Sequence, residues 1–305
     1  MSVAANAGEI EGAADAGPAL TPLSVAALRA HPGFERAMIV AANGIIAGFD
    51  GNPLVNRVMN DRGRSLFAVG ALYLDATPDA FGRRLTPARM IDLATSMGLG
   101  SAGRAKAMLA LLRWGGYLVP AQSEDPSRST GAGDRRERPL APTEKLRAVV
   151  RERWRTFFVA LALIRPEGAA ALAGLSDAGF ERAFVAELGS AFRAGFRPLD
   201  RAPLLGPVSE RDAGLVVMLV LVVASHEGGP PPPIARIASR FGVSRAHILD
   251  VLREAEAGGL IRRDGARSTP VVTPVLRESV EDLIAGVLAM ALAAGTAALA
   301  QTGKA

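Results

Sequence analysis

The 305-residue sequence contains no cysteine, so disulfides and thiolate metal sites are excluded and a reducing compartment is the natural setting. Aromatic residues make up only 5% of the chain, whereas 49% of it is hydrophobic, much of that Ala and Leu. That balance favours packed helices over β-sandwiches. The 3 histidines, His31, His226 and His247, are scattered without ligand-spaced partners, so no metal site is expected. Neither a Walker A sequence nor a G-x-S-x-G elbow occurs. Isolated carboxylates such as Asp92 and Asp250 read as exposed helix residues. No catalytic constellation emerges, which argues against an enzyme.

Targeting signals are equally scarce. Residues 1–20 are rich in Ala and Gly and read as a disordered arm. They lack a basic n-region and an apolar core and carry Glu9, Glu11 and Asp15, so secretion is not expected. Leu283–Ala300 is free of charge and long enough to cross a bilayer. More than half of it is Ala, Gly or Thr and it lacks aromatic anchors, so packing against another helix is preferred and no membrane association is expected. The net charge of +5 permits nucleic-acid binding, although 30 acidic residues are also present.

What the chain does carry is a pattern at residues 86–118. Thr86 is a good N-cap, and Pro87 suits the first helical position, where a missing N–H costs nothing. Met90, Leu93, Ala94 and Met97 repeat at helical spacing, and Gly98 can end the helix in a left-handed conformation. Ser101 then caps a second helix with Ala105, Met108, Leu109 and Leu112 on one face. Gly115-Gly116 stops it, and Tyr117-Leu118-Val119 reads as a strand. Two short helices, a tight glycine turn and a following strand are the pattern of a winged helix-turn-helix.

The pattern occurs twice. Met90, Leu93, Ala94 and Gly98 correspond to Ile234, Ile237, Ala238 and Gly242, and the double glycine 115–116 recurs at 258–259. Gly-Phe-Glu-Arg-Ala stands at 33–37 and again, letter for letter, at 179–183, an offset of 179 − 33 = 146. The repeat unit is therefore a whole domain rather than a short solenoid repeat. The expected fold is mainly α with small β-wings, built as two tandem winged-helix domains related by internal duplication. Repeat 1 is placed at 21–170 (helix-turn-helix 86–114, wing 117–141) and repeat 2 at 171–305 (helix-turn-helix 231–257, wing 260–273). Pro166–Ser176 reads as the joining segment, and Gly44-x-x-x-Gly48 as a close helix crossing in the core. Gly98-Leu99-Gly100-Ser101-Ala102-Gly103 fits a dinucleotide fingerprint, but a helix rather than a strand precedes it, so no cofactor is expected.

Polar residues at a recognition-helix N-terminus read base edges, while a wing meets the backbone or minor groove. In repeat 1 the candidates are Ser101, Arg104 and Lys106, with Arg135 and Arg136 in the wing. In repeat 2 they are Ser244, Arg245 and His247, with Arg262, Arg263 and Arg267 in the wing. The run from Leu85-Thr86-Pro87 through Leu93-Ala94 to Gly115-Gly116-Tyr117, and that from Ile237-Ala238 to Gly258-Gly259-Leu260-Ile261, make the chain resemble two fused MarR-type winged-helix regulators. The long helix opened by a proline after each wing, at Pro142 and Pro274, adds to the likeness. The chain departs from that family in an extra leading helix in each repeat (33–49 and 180–196) and in a long first wing.

The resemblance implies a cytoplasmic bacterial transcriptional regulator that binds double-stranded DNA with two heads on one chain. A homodimer through the apolar terminal helices is expected. A small-molecule effector is an open partner that the resemblance assigns to no residue. Two other readings stand beside this one: a winged-helix protein–protein module without DNA readout, and a replication-initiator-like DNA-binding protein.

Overall fold

The computed structural model describes residues 22–49, 62–121, 138–263 and 269–303. The arm expected at 1–20 and the tips of both expected wings, with Arg135, Arg136 and Arg267, lie outside the described residues. The chain is mainly helical, with two small two-stranded antiparallel sheets among the described residues. Helices α1 (Pro22–Arg29), α2 (Phe34–Ala47), α3 (Arg62–Ala76), α4 (Pro87–Ser96) and α5 (Ala102–Trp114) lead to strands β1 (Leu118–Pro120) and β2 (Leu140–Pro142). The long α6 (Glu144–Ala162) follows. A second series then runs through α7 (Pro166–Gly174) and α8 (Ala178–Arg193) into two 3₁₀ turns between 198 and 205 and the single turn α9 (Gly206–Ser209). It continues with α10 (Gly214–His226), α11 (Ile234–Phe241), α12 (Arg245–Ala257), β3 (Ile261–Arg262), β4 (Val271–Val272) and α13 (Pro274–Gln301).

The same local chemistry shapes corresponding elements of both series. Thr86 accepts a hydrogen bond from the Arg89 N–H at the start of α4, Ser101 from Arg104 at α5, and Ser244 from His247 at α12. The turns between the paired helices rely on Gly98 and Gly242, with φ of +66° and +69°, a region that costs glycine nothing and a β-carbon-bearing residue 1–2 kcal/mol or so. Each small sheet closes in the same way. The Thr143 hydroxyl donates to the carbonyls of Gly116 and Tyr117 at 2.9 and 3.1 Å, and that of Thr273 to those of Gly259 and Leu260 at 2.8 and 2.7 Å. Leu118 lies opposite Pro142 in one sheet and Ile261 opposite Val272 in the other.

Packing also comes in matching pairs, and most of the pairs cross between the two series. Helix α2 packs on α6 and α10, and α8 packs on α13 and α3. Helix α1 lies on α13, and α7 lies on α6. The side chains form one continuous core from Val25 to Leu299. The boundary expected at 170–171 falls inside α7, because Pro166 and Glu167 start a helix where the sequence reads as a joining segment. Where α2 crosses α6, a β-carbon on Gly44 would fall 1.7 Å from the Thr156 methyl carbon, so only glycine permits that approach. Helix α13 is the one described helix long and apolar enough to cross a membrane, and 67% of its most apolar stretch is buried within the chain.

The repeated Gly-Phe-Glu-Arg-Ala acquires a purpose from this crossing. Phe34 and Phe180 enter the core, and the glutamates reach the long helix that follows the small sheet of the other series. Glu35 meets Arg277 of α13 at 3.2 Å and His226 of α10 at 3.1 Å. Glu181 meets Arg147 at 3.2 Å and Arg151 at 2.7 Å on α6, while Arg147 also holds Asp75 of α3 at 2.6 Å. Hydrogen bonding to Glu181 raises the Arg151 guanidinium above its ordinary pKa. The two sites differ in depth: the Glu181 side chain is 11% exposed and that of Glu35 is 58% exposed. Glu181→Gln should therefore cost roughly 1.5–3 kcal/mol in a urea unfolding experiment, and Glu35→Gln about 0–1 kcal/mol. Equal losses would contradict this ranking.

Candidate nucleic-acid interface

Helices α4 and α5 form a pair whose inner face is Met90, Leu93, Ala94, Ala105, Met108, Leu109 and Leu112, all buried. The burial of those residues fixes which side of α5 faces outward. That side carries Arg104, Lys106 and Arg113, all exposed, with the small residues Gly103, Ala107 and Ala110 between them. No acidic residue occurs in α5. A helix face of small residues bordered by cations can approach a polyanionic groove closely, and alanine can meet a thymine methyl group. Sequence reasoning singled out Ser101, Arg104 and Lys106 but missed Arg113. The signal was available, since 113 lies seven residues, two helical turns, after 106.

Ser101 is exposed, but its hydroxyl is occupied as the α5 cap, so it supports the helix rather than projecting from it. Before α4, Arg89 fastens the preceding loop by donating to the carbonyls of Arg83, of Arg84 at 2.7 Å and of Thr77 at 3.1 Å. This leaves Arg84 exposed beside the helix pair.

The second pair, α11 and α12, is built on Ile237, Ala238, Phe241, Ile248, Val251, Leu252 and Ala255. Its candidates have unequal surroundings. Arg245 is exposed at the first turn of α12, next to the capping Ser244. His247 donates from Nε2 to the Asp212 carbonyl at 2.8 Å, so its ring fastens α12 to the α9–α10 corner. Arg211 on that corner reaches Glu254 of α12 at 2.7 Å, and Arg253 pairs with Asp250. Helix α12 thus carries two arginines against Asp250, Glu254 and Glu256, an excess of one negative charge (2 − 3 = −1). Helix α5 carries three positive charges, Arg104, Lys106 and Arg113, and no negative ones.

The wing candidates also divide. Arg262 is exposed on β3, whereas the Arg263 side chain is only 5% exposed and is held by Glu256 at 2.5 Å. Arg263 is therefore a structural tie between α12 and the strand after it, not a group open to a phosphate. No protein-family model matches the chain, and no curated protein or solved structure gives a match either. Arg263→Ala should lower stability by roughly 1.5–3 kcal/mol, and Arg262→Ala should stay within about 0.5 kcal/mol. Thermal unfolding of the two variants separates these roles, and the reverse order would refute them.

Proposed function

We propose that the chain is a sequence-specific double-stranded DNA-binding protein, a cytoplasmic bacterial regulator that uses two winged-helix heads related by internal duplication. Element order supports the winged-helix reading: in each series a capped helix pair joined by a glycine turn leads into a two-stranded hairpin and a long helix. One observation carries the DNA reading, namely the outward face of α5 with Arg104, Lys106 and Arg113 and no acid. The net-negative α12, tied inward by His247 and Arg211, makes the second head the weaker reader. The chain supplies both heads itself, so a second copy is not needed to present a pair.

A winged-helix module for protein partners is the second reading. It is favoured by Trp114, 75% exposed at the end of α5 on the surface a groove would otherwise cover. Selection from a random duplex pool at physiological salt discriminates the two, since nonspecific counterion-driven binding is then weak. An enriched motif is expected; its absence favours the protein partner. On the selected site, Arg104→Ala should cost roughly 1–3 kcal/mol, and Lys106→Ala should reduce the salt-dependence slope by about one. Arg245→Ala should cost less than Arg104→Ala. Binding unchanged by both α5 substitutions would remove this helix from the interface.

A further inference from the structure

A cavity of about 220 Å³ lies between the two series, walled in part by Phe157 of α6, Phe192 of α8, Val216 of α10 and Val287 of α13. Trp154 of α6 lines it, is 6% exposed, and leaves its Nε1–H without an acceptor. Buried indoles normally find a partner, so an unfilled N–H at a cavity wall calls for one. Arg153 lines the same cavity and pairs with no described residue. Burial pushes its guanidinium pKa down. The other charged groups facing the space are Arg197, which donates to the Phe192 and Phe196 carbonyls, and Arg211, which is held by Glu254. No carboxylate among the described residues lines the wall.

We infer that this cavity binds a monocarboxylate with an apolar body of about six or seven carbons, one molecule per chain, its carboxylate on the Arg153 guanidinium and the Trp154 N–H. Size sets the body. A cavity of about 150 Å³ holds benzene, so this one holds roughly nine or ten heavy atoms. Charge sets the head group. One unpaired guanidinium and one neutral donor match a single carboxylate, which arginine grips through two parallel N–H bonds. The partly buried cation is unfavourable alone, and a ligand that brings the counter-charge relieves it. The stoichiometry follows from a difference between the series. Arg153 stands ten residues after the cap Thr143 of α6, and the residue ten after the cap Thr273 of α13 is Leu283, which lines the same cavity.

The chain has 2 tryptophans. Trp114→Phe therefore leaves Trp154 as a lone fluorescent reporter at the cavity. Titration of this variant with octanoate should give a saturable change fitting one site, and 1-octanol should bind at least about tenfold more weakly. Adding Arg153→Met should remove most of that preference while keeping the helical circular dichroism and not lowering the thermal midpoint, because a partly buried charge without a partner among the described residues is gone. No saturable response to octanoate, or equal affinity for octanoate and 1-octanol in the Trp114→Phe protein, overturns the assignment. Neither measurement involves DNA, so the outcome stands apart from the DNA-binding reading.

Discussion

The crossing of α2 and α8 between the two series is the constraint on which the rest of the structure depends. Each of these helices buries one side on the long helix after the small sheet of its own series and another on the helix before the opposite pair. Neither series can then complete its core alone, since removing α8 would uncover α3 and removing α2 would uncover α10. Apolar burial supplies most of the energy, at roughly 25 cal/mol per Å². The ion pairs of Glu35 and Glu181 supply register. A carboxylate that meets Arg277 or Arg147 adds a directional contact to the interlocked apolar packing, most strongly at the deeper Glu181.

That frame determines where the helix pairs can point. Helix α4 packs on α3, so the first pair is anchored one layer away from the crossing helices. The second pair has a further tie, since α12 also touches α9 and the corner beyond it through His247 and Arg211. A hydrogen bond and an exposed ion pair are each worth about 1 kcal/mol or less, yet together they settle the orientation of a small unit. The two pairs thus share a backbone pattern and differ in what their outer faces spend charge on. In α5 the cations face outward, whereas in α12 Arg253 pairs with Asp250, and the helix's glutamates hold Arg211 and Arg263 from neighbouring segments.

Features that depend on short-range chemistry were legible in the sequence. Thr86, Ser101 and Ser244 cap helices because a hydroxyl three residues before an N–H is a local relation, and Gly98 and Gly242 turn because only backbone sterics are involved. Helix α7 was hidden because Pro166 and the small residues after it have little apolar periodicity, and the helix forms against α6. The fates of His247 and Arg263 were hidden for a related reason. Both are polar residues at positions where a groove contact is expected, and only the fold brings the Asp212 carbonyl and Glu256 to them. The repeated Gly-Phe-Glu-Arg-Ala was visible as a pattern, but its meaning required knowing that Glu35 and Glu181 face the opposite series.

The two series lie on one chain, which frees corresponding positions to differ in a way that two identical subunits cannot. Two copies of one chain meeting on a two-fold axis would bring two guanidiniums, one from each Arg153, to a shared cavity. Like charges a few ångströms apart in an apolar setting repel by several kcal/mol, even at an effective dielectric near 20. Here the corresponding position is Leu283, so Arg153 faces an apolar side chain there, while the other two arginines on the wall, Arg197 and Arg211, are held by backbone carbonyls and by Glu254. The same freedom explains why Glu181 is deep and multiply bonded while Glu35 is exposed, and why α5 and α12 carry opposite net charge. The capping residues and turn glycines keep the same backbone roles in both series, and the side-chain chemistry around them differs.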